Sequence, residues 1–227
     1  MKKYFTKIEM GLWISSIFLI TVSFLIFDRA NYFNLIASLV GATSLIYCAK
    51  GNPFGQVLMI VFSVLYGMIS LSFKYYGEMI TYVFMTLPMA VLSLISWLKH
   101  PYKGNKSLVE VNTVTKKDVA IMVILTAIVT CLFYFILKYF NTANLLPSTL
   151  SVTTSFMAVF LTYKRSPYFA IFYAMNDAVL IVLWMLATME DITYISVVVC
   201  FVIFLFNDIY GFISWRRMER KQKQPIN

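Results

Sequence analysis

The stretch Ile192–Trp215 reads ITYISVVVCFVIFLFNDIYGFISW and is apolar along almost its whole length. A helix that crosses the hydrocarbon core of a bilayer needs about 20 such residues, so this stretch is long enough to cross a membrane. Arg216 and Arg217 follow it at once, and basic residues directly after an apolar run are typical of the cytoplasmic end of a membrane helix. The stretch therefore predicts a membrane-spanning helix that ends on the cytoplasmic side.

Seven further apolar stretches precede it. The predicted spans are Met10–Phe27, Phe33–Ala49, Pro53–Phe73, Glu78–Leu98, Val119–Tyr139, Ser148–Tyr163 and Pro167–Thr188. Hydrophobic types make up 60 % of the 227 residues and charged types only 13 %. A water-soluble protein of this size could not bury so much apolar surface. The expected fold class is therefore an all-α membrane protein with eight transmembrane helices.

The basic residues predict how these helices are threaded. With the N-terminus inside, the outer loops hold only Arg29, Lys74 and Lys138, and the other 16 of the 19 Lys and Arg residues lie in inner loops and tails. Because cytoplasmic loops carry an excess of basic residues, we expect both termini in the cytoplasm, N-in/C-in. The net charge of +9 then reflects topology. The expected partner is the lipid bilayer, and no nucleic acid is expected.

Short matches indicate two internal repeats. EMITY at 78–82 corresponds to EDITY at 190–194, ISW at 95–97 to ISW at 213–215, and Pro53 to Pro167. All three matches relate helices two to four to helices six to eight, and both sets start outside, so we expect parallel repeats. Such repeats are typical of a transporter whose binding site lies at their interface.

These features predict five regions. They are an extra N-terminal transmembrane helix (1–30), a first three-helix repeat (31–98), a basic cytoplasmic loop with a linker helix (99–140), a second three-helix repeat (141–215) and a basic cytoplasmic tail (216–227).

Two polar pairs lie inside apolar helices. Asn176 and Asp177 are near the middle of the seventh span, and Asn207 and Asp208 are well inside the eighth. Polar groups at this depth are costly and usually functional, so we expect them to bind a solute. The alternative is that they bond to each other and join the two helices. The sixth span is rich in hydroxyl groups, which suits either a packed seam between helices or a wet pathway.

Further candidate site residues are mostly aromatic. Phe172 and Tyr173 precede the first pair by one helical turn, Tyr210 follows Asn207 by three residues, and the first repeat adds Gln56 and Tyr82. Trp184 follows Asp177 by seven residues and suits solute stacking or anchoring at the outer interface equally. Trp97 and Trp215, beside basic residues at inner helix ends, are expected to be interfacial anchors.

The chemistry of these side chains predicts the ligand. Amides and carboxylates form hydrogen bonds with sugar hydroxyls or a carboxamide, and aromatic faces stack on a flat heterocycle, more strongly if it is cationic. A carboxylate complements one positive charge. The predicted ligand is a nucleoside with a cationic base.

The stretch RSPYFAIFYAMNDAVLIVLWMLATMEDITYISVVVCFVIFLFNDIYGFISWRR (165–217) resembles the second half of the PnuC family of nicotinamide riboside transporters. Phe73–Asn105 and Asn141–Phe156 resemble the form of that family found in Gram-positive bacteria. The resemblance implies a three-plus-one-plus-three helix core related to the SWEET transporters. It also implies facilitated diffusion of nicotinamide riboside across a bacterial cytoplasmic membrane, trapping by a separate kinase, and often a trimer. Relatives carry tryptophan where this chain has Phe172.

Other functions stay open from the sequence. The chain has no G-x-x-x-x-G-K-[ST] loop, nucleophile–base pair or metal-ligand set, so neither an enzyme nor a cofactor is expected. One alternative is a transporter of another vitamin or nucleoside, such as thiamine or a deoxynucleoside. Another is a non-transporting membrane sensor or interaction subunit, in which the Asn-Asp pairs only join helices. A phosphate would need a mid-span Arg or Lys, so the riboside is favoured over the mononucleotide.

Overall fold

A computed structural model describes residues 4–72, 76–142 and 144–224. These residues include eight helices that are long and apolar enough to cross a membrane, as predicted. They are α1 (Lys7–Phe27), α2 (Tyr32–Ala49), α3 (Phe54–Ser72), α4 (Tyr76–Lys99), α5 (Lys116–Tyr139), α6 (Leu145–Tyr163), α7 (Phe169–Thr188) and α8 (Ile195–Lys223). Lys2, Lys3, Lys74 and the predicted end of the third span at Phe73 lie outside the described residues.

The helix ends lie within three residues of the predicted ones, except that α8 continues past Trp215 to Lys223. Capping explains why α1 and α5 begin before their apolar runs. Thr6 and Glu9 form a capping box at the start of α1, and Thr115 and Asp118 form one at the start of α5. Each box satisfies backbone N–H groups that have no partner within the helix, so a polar first turn can remain helical.

Helix α4 is irregular in its middle. Residues Thr81–Thr86 form a π-helical segment between two α-helical parts, Tyr76–Ile80 and Leu87–Lys99. Pro88 lies two residues after the end of the segment, and proline both lacks an N–H donor and collides with the carbonyl four residues before it. A local widening of the helix relieves this conflict, and such π segments are frequent at functional sites.

The helices pack in a recurring pattern. α3 contacts α2 and α4, α7 contacts α6 and α8, α2 contacts α8, and α4 contacts α6. Parallel repeats of α2–α4 and α6–α8 would produce these pairings, although the repeat relation and the orientation in the membrane stay predictions. α1 packs on α2 and α8, while α5 packs mainly on α6.

We call the side of the bundle that holds the α2–α3, α4–α5 and α6–α7 connections the hairpin end, and the opposite side the cavity end. In the long α4–α5 connection, strands β1 (Pro101–Tyr102) and β2 (Asn105–Val109) form an antiparallel hairpin that the all-α prediction did not contain. Its two-residue turn has positive φ at Lys103 (50°) and Gly104 (78°). Positive φ at both central residues matches the twist of the flanking strands, which favours a hairpin.

Two tryptophans fill the core at the hairpin end. Trp97 and Trp215 are both 0 % exposed, and their ring centroids are 5.3 Å apart. The indole N–H of Trp97 donates to the Thr162 carbonyl at 2.9 Å, and that of Trp215 donates to the Cys48 carbonyl at 2.7 Å. Both carbonyls lie at helix C-termini, where each also accepts a backbone N–H of the following turn, from Arg165 for Thr162 and from Gly51 for Cys48. The prediction that these tryptophans are interfacial anchors is therefore wrong.

Candidate substrate-binding site

A cavity of about 280 Å³ opens at the cavity end of the bundle. We call it the outer cavity. It lies where the start of α4, the α5–α6 connection, the start of α6 and the end of α7 meet. Its lining consists of Tyr76, Gly77, Glu78, Phe140, Asn141, Thr142, Asn144, Ser148, Leu183, Trp184, Leu186, Ala187 and Glu190.

A second, inner cavity continues towards the middle of the bundle. It has a volume of about 30 Å³, the share of one water molecule in the liquid. It shares Gly77, Glu78, Thr142, Ser148 and Leu183 with the outer cavity, and is further lined by Tyr66, Thr81, Tyr82, Leu137, Ser151, Val152, Ser155, Asn176 and Leu180. The shared residues place the two cavities next to each other, and we call the two together, from the cavity end to Asn176, the path.

Asn176 lies at the inner end of this path. It is the eighth residue of α7, is buried, and lines the inner cavity. The Ser151 and Thr154 hydroxyls of α6 each donate to its Oδ1 at 3.0 Å. These bonds fix the orientation of the amide, and its Nδ2 has no acceptor among the described residues. The side chain therefore offers a fixed hydrogen-bond donor to a ligand.

Aromatic rings form the walls of both cavities. Tyr82, in the π segment of α4, packs against Tyr66 with ring centroids 4.5 Å apart. Trp184 lines the outer cavity and packs against Tyr194 with centroids 5.2 Å apart. Flat rings held by neighbouring rings can stack on a heterocycle with little further loss of side-chain freedom. Asn176, Tyr82 and Trp184 are thus the three predicted site residues that the structure places around one path.

The acidic members of the two polar pairs meet elsewhere. The carboxyl groups of Asp177 and Asp208 are both buried and lie close enough to interact electrostatically, between α7 and α8. Oδ2 of Asp177 has no hydrogen-bond partner among the described residues. Neither residue belongs to the lining of the described cavities. This arrangement matches the alternative in which the acidic residues join the helices.

Asn207 and Tyr210 are directed to α1 instead. Nδ2 of Asn207 donates to the Ser16 hydroxyl at 3.0 Å and to the Ile203 carbonyl at 2.8 Å. The Tyr210 hydroxyl donates to Glu9 Oε1 at 3.3 Å. These contacts attach α1 to α8, so the structure does not bring these two predicted site residues to the cavities.

The remaining predicted site residues pack closer to the hairpin end. Phe172 and Tyr173 contact the cluster around Trp97 and Trp215. Gln56 is buried, and its Nε2 group lies 3.3 Å from the Cys48 sulfur. None of these three lines either described cavity.

The hydroxyl groups of α6 serve both uses that its composition left open. Ser148, Ser151 and Ser155 recur at intervals of three and four residues and line the inner cavity. Thr153 lies on another face, where its hydroxyl bonds to Thr130 of α5 at 2.9 Å. One face of α6 therefore lines the inner cavity, and another face contacts α5 through the bond between Thr153 and Thr130.

Glu78 is the main cavity residue that was not predicted from the sequence, because only charged residues near the middle of a span were expected to bind a solute. It lies in the first turn of α4, near the end of a span, and it lines both cavities. Its repeat partner in the EMITY and EDITY match, Glu190, lines the outer cavity. The next residue, Asp191, accepts hydrogen bonds from the Thr193 N–H and hydroxyl, which hold the pKa of its carboxyl below the usual value. The internal repeat could have indicated Glu78, because the matching motifs EMITY and EDITY both begin with glutamate.

Eight membrane helices around a polar path with aromatic walls define a membrane transporter. The chain matches the family described as nicotinamide mononucleotide transporter over residues 31–217, and it belongs to that family. The prediction of a multi-pass membrane transporter is therefore confirmed. The matched region begins just after α1.

Two known proteins are similar to this chain. The nicotinamide riboside transporter PnuC of Neisseria mucosa is 21 % identical over 201 residues, which cover 86 % of this chain and 76 % of that protein. A crystal structure of the vitamin B3 transporter PnuC has the same fold, with a TM-score of 0.83, 21 % identity, and coverage of 96 % of this chain and 94 % of that one. Because α1 has 21 residues, a match over 96 % of the chain includes part of it.

Proposed function

We propose that this protein carries nicotinamide riboside across a bacterial cytoplasmic membrane by facilitated diffusion. The observation that carries the proposal is Asn176, a fixed amide in the middle of α7 at the inner end of a path with aromatic walls. Transporter sites commonly lie near the membrane midplane between repeats. The name of the relative from Neisseria mucosa supports the same solute.

The proposed solute suits the chemistry of this path. Its carboxamide oxygen or a ribose hydroxyl can accept a hydrogen bond from Asn176 Nδ2, and the serines of α6 can bond to other ribose hydroxyls. Its flat pyridinium ring can stack on Tyr82 or Trp184, with a cation–π contribution from its charge. The inner cavity is far smaller than the outer one, so we expect the solute to enter the outer cavity first.

The riboside is favoured over the mononucleotide. A phosphate group is usually recognised by Arg or Lys. Neither of the two described cavities has an Arg, Lys or His in its lining, whereas the outer cavity has Glu78 and Glu190. A phosphate in this path would therefore meet negative charge.

The proposal includes an orientation and a fate for the solute. Most basic residues lie at the hairpin end, which supports a cytoplasmic hairpin end and N-in/C-in topology. Solute would then enter from outside, and a separate kinase would trap it inside by adding a phosphate that this path does not accept. By resemblance to the family, we also propose a homotrimer, to be tested by native mass spectrometry.

Ligand binding to purified protein in nanodiscs tests the solute. Nicotinamide riboside should bind, and its mononucleotide should bind at least about tenfold more weakly, as expected when a buried charge lacks a partner. Asn176→Ala should weaken riboside binding at least about fivefold, since a lost buried hydrogen bond costs about 1–3 kcal/mol. Asn34→Ala is the matched control, because it removes an amide that bonds to Asp28 in the α1–α2 region.

Flux through proteoliposomes tests transport. Labelled riboside should equilibrate across the membrane and should accumulate only when a riboside kinase and ATP are enclosed. Clear uptake of thiamine or a deoxynucleoside without riboside uptake would assign the protein to another solute. Binding without any flux would favour the sensor subunit instead.

Thiol labelling in intact cells tests the orientation. Met189→Cys places a thiol on an exposed position at the cavity end, and Asn105→Cys places one on the exposed hairpin. A membrane-impermeant reagent should label only the first variant above the level of the unchanged chain. Labelling of only the second would reverse the proposed orientation.

A further inference from the structure

Glu78 carries a buried carboxylate oxygen without a partner. Its Oε2 atom is inaccessible to solvent and has no hydrogen-bond partner, and no described residue forms an ion pair with it. Among the other acidic residues, Glu9 pairs with Lys50 and Glu219 pairs with Lys223. Asp177 also has a buried oxygen without a hydrogen-bond partner, Oδ2, but it lies beside Asp208 and outside the described cavity lining. A carboxylate held out of water without a partner is costly unless a ligand supplies the partner.

The position of this carboxylate is where a ligand must pass. Glu78 belongs to the lining of both described cavities, at the junction between the wide outer cavity and the narrow inner one. Tyr82 follows it by one helical turn, and Trp184 lines the outer cavity with it. A flat cation at this junction would have an anion beside it and aromatic faces within reach, the combination that favours cation–π binding.

The charge of the residues that line the two cavities also favours a cationic ligand. The described lining residues include Glu78 and Glu190 and no Lys, Arg or His. Glu190 is exposed at the mouth, so its field reaches an approaching solute before Glu78 does. A cleft lined by charges of one sign concentrates ligands of the opposite sign.

We infer that Glu78 is the residue that selects a positively charged ring, by pairing with it at the junction of the two cavities. This inference rests on the proposed function and assigns the charge recognition within that site. The sequence had given this role to Asp177. Asp177 lies against Asp208 and outside the described cavity lining, so it is the less suitable partner.

The sharpest test compares two ligands that share the ribose and the carboxamide, one with a cationic ring and one with a neutral ring. Reduced, dihydropyridine nicotinamide riboside has the same ribose and carboxamide but an uncharged ring. In nanodiscs, the unchanged protein should bind the cationic form at least about tenfold more tightly than the reduced form, the lower end of the coupling measured for close charge pairs. Glu78→Gln should lower this ratio several-fold, to the part that cation–π contacts supply, and leave the affinity for the reduced form within about threefold, because a neutral ring makes no ion pair.

Two variants control for other causes. Glu78→Asp keeps the charge and should keep a preference for the cation. Glu110→Gln makes the same chemical change on an exposed residue next to the hairpin, outside the cavities, and should keep the full ratio. Lys74, the nearest basic residue before Glu78 in the sequence, lies outside the described residues, and Lys74→Gln should also keep the ratio.

Several results would overturn the inference. The first is equal affinity of the unchanged protein for the cationic and the reduced form. This result needs no variant, so it decides the question even if Glu78→Gln does not fold. An unchanged ratio in Glu78→Gln, or an equal loss for both ligands, would assign the residue a structural role. If only the Lys74→Gln variant prefers the cationic form over the reduced form, Lys74 neutralises Glu78 in the unchanged protein. If neither form binds the unchanged protein, the proposed function itself fails.

Discussion

The hairpin end and the cavity end of the bundle are built in opposite ways. At the hairpin end, Trp97 and Trp215 are fully buried against each other, and Phe169 packs edge-on to Trp215 at 4.9 Å. At the cavity end, the same helices surround about 280 Å³ of space beside a carboxylate without a partner. A bundle sealed at one end and open at the other admits a solute from one side only, as alternating access requires.

The seal at the hairpin end has a second layer outside the tryptophans. The Val109 N–H donates to the Gly51 carbonyl at 2.9 Å, and the Asn112 N–H donates to the Arg165 carbonyl at 3.0 Å. The segment 109–112 therefore bonds to both the α2–α3 and the α6–α7 connections. In the proposed transport cycle the solute leaves past this end, so these contacts would have to break each time.

The largest effect is expected from removing one tryptophan of the seal. Trp215→Ala should lower stability by about 3–5 kcal/mol, because it leaves a cavity in the core and removes the indole hydrogen bond to the Cys48 carbonyl. The loss should appear as a lower midpoint of thermal unfolding in detergent. Trp13→Ala is the control, since Trp13 is half-buried on α1 at the edge of the bundle. Equal losses in the two variants would contradict a special role for the seal.

A glycine series compares the packing of the two ends directly. A methyl group at Gly55, at the hairpin end, would lie 2.6 Å from the Cys48 backbone nitrogen, which cannot move aside. At Gly77 it would meet only side-chain atoms, of Leu137 at 2.5 Å and Thr142 at 2.6 Å. We expect Gly55→Ala to cost about 3 kcal/mol and Gly77→Ala about 1 kcal/mol, measured by thermal unfolding.

Gly11 completes this series as a control. A methyl group there would have nothing within 4 Å, so Gly11→Ala should be neutral or stabilise the helix by up to about 1 kcal/mol. A larger loss for Gly77→Ala than for Gly55→Ala would reverse the comparison between the ends.

A smaller effect is expected where α8 holds the hairpin segment. The Gln222 side chain accepts from the Val111 N–H at 2.8 Å and donates to the Val109 carbonyl at 3.0 Å. Gln222→Ala should destabilise this attachment by about 1–2 kcal/mol. Hydrogen exchange at Val111 should become faster, while exchange in the middle of α7 stays unchanged. Unchanged exchange at Val111 would mean that α8 does not hold the segment.

The smallest effect is expected for the ion pair that joins α1 to the end of α2. Lys50 Nζ lies 3.0 Å from Glu9 Oε2, and the lysine side chain remains 17 % exposed. Lys50→Gln should cost no more than about 1 kcal/mol, because the glutamine amide can still donate to Glu9 and the Thr6 N–H remains bonded to the same carboxylate oxygen. Thermal unfolding at low and high salt checks this value. A loss comparable to that of Trp215→Ala would mean that α1 helps to seal the hairpin end.

The eight spans could be predicted because each follows from local composition. A continuous apolar run near 20 residues has no stable alternative to a membrane helix, and every run was found within a few residues. The hairpin at 101–109 was missed because its strands are short and polar, and its stability depends on bonds to Gly51 and Gln222. The buried tryptophans were missed because their partners, the Thr162 and Cys48 carbonyls, are distant in sequence.

The binding site also has a part that the sequence predicts and a part that only the tertiary structure decides. The pair Asn176-Asp177 shows the reason. Sequence alone determined that both residues lie in the middle of a membrane helix and need polar partners. Neighbouring residues on a helix point about 100° apart, so the two side chains cannot face the same space. Only the packing of α6 and α8 around α7 decided that Asn176 lines the inner cavity while Asp177 contacts Asp208. The tertiary structure likewise brought Glu78, at the edge of its own span, into the path between the two cavities.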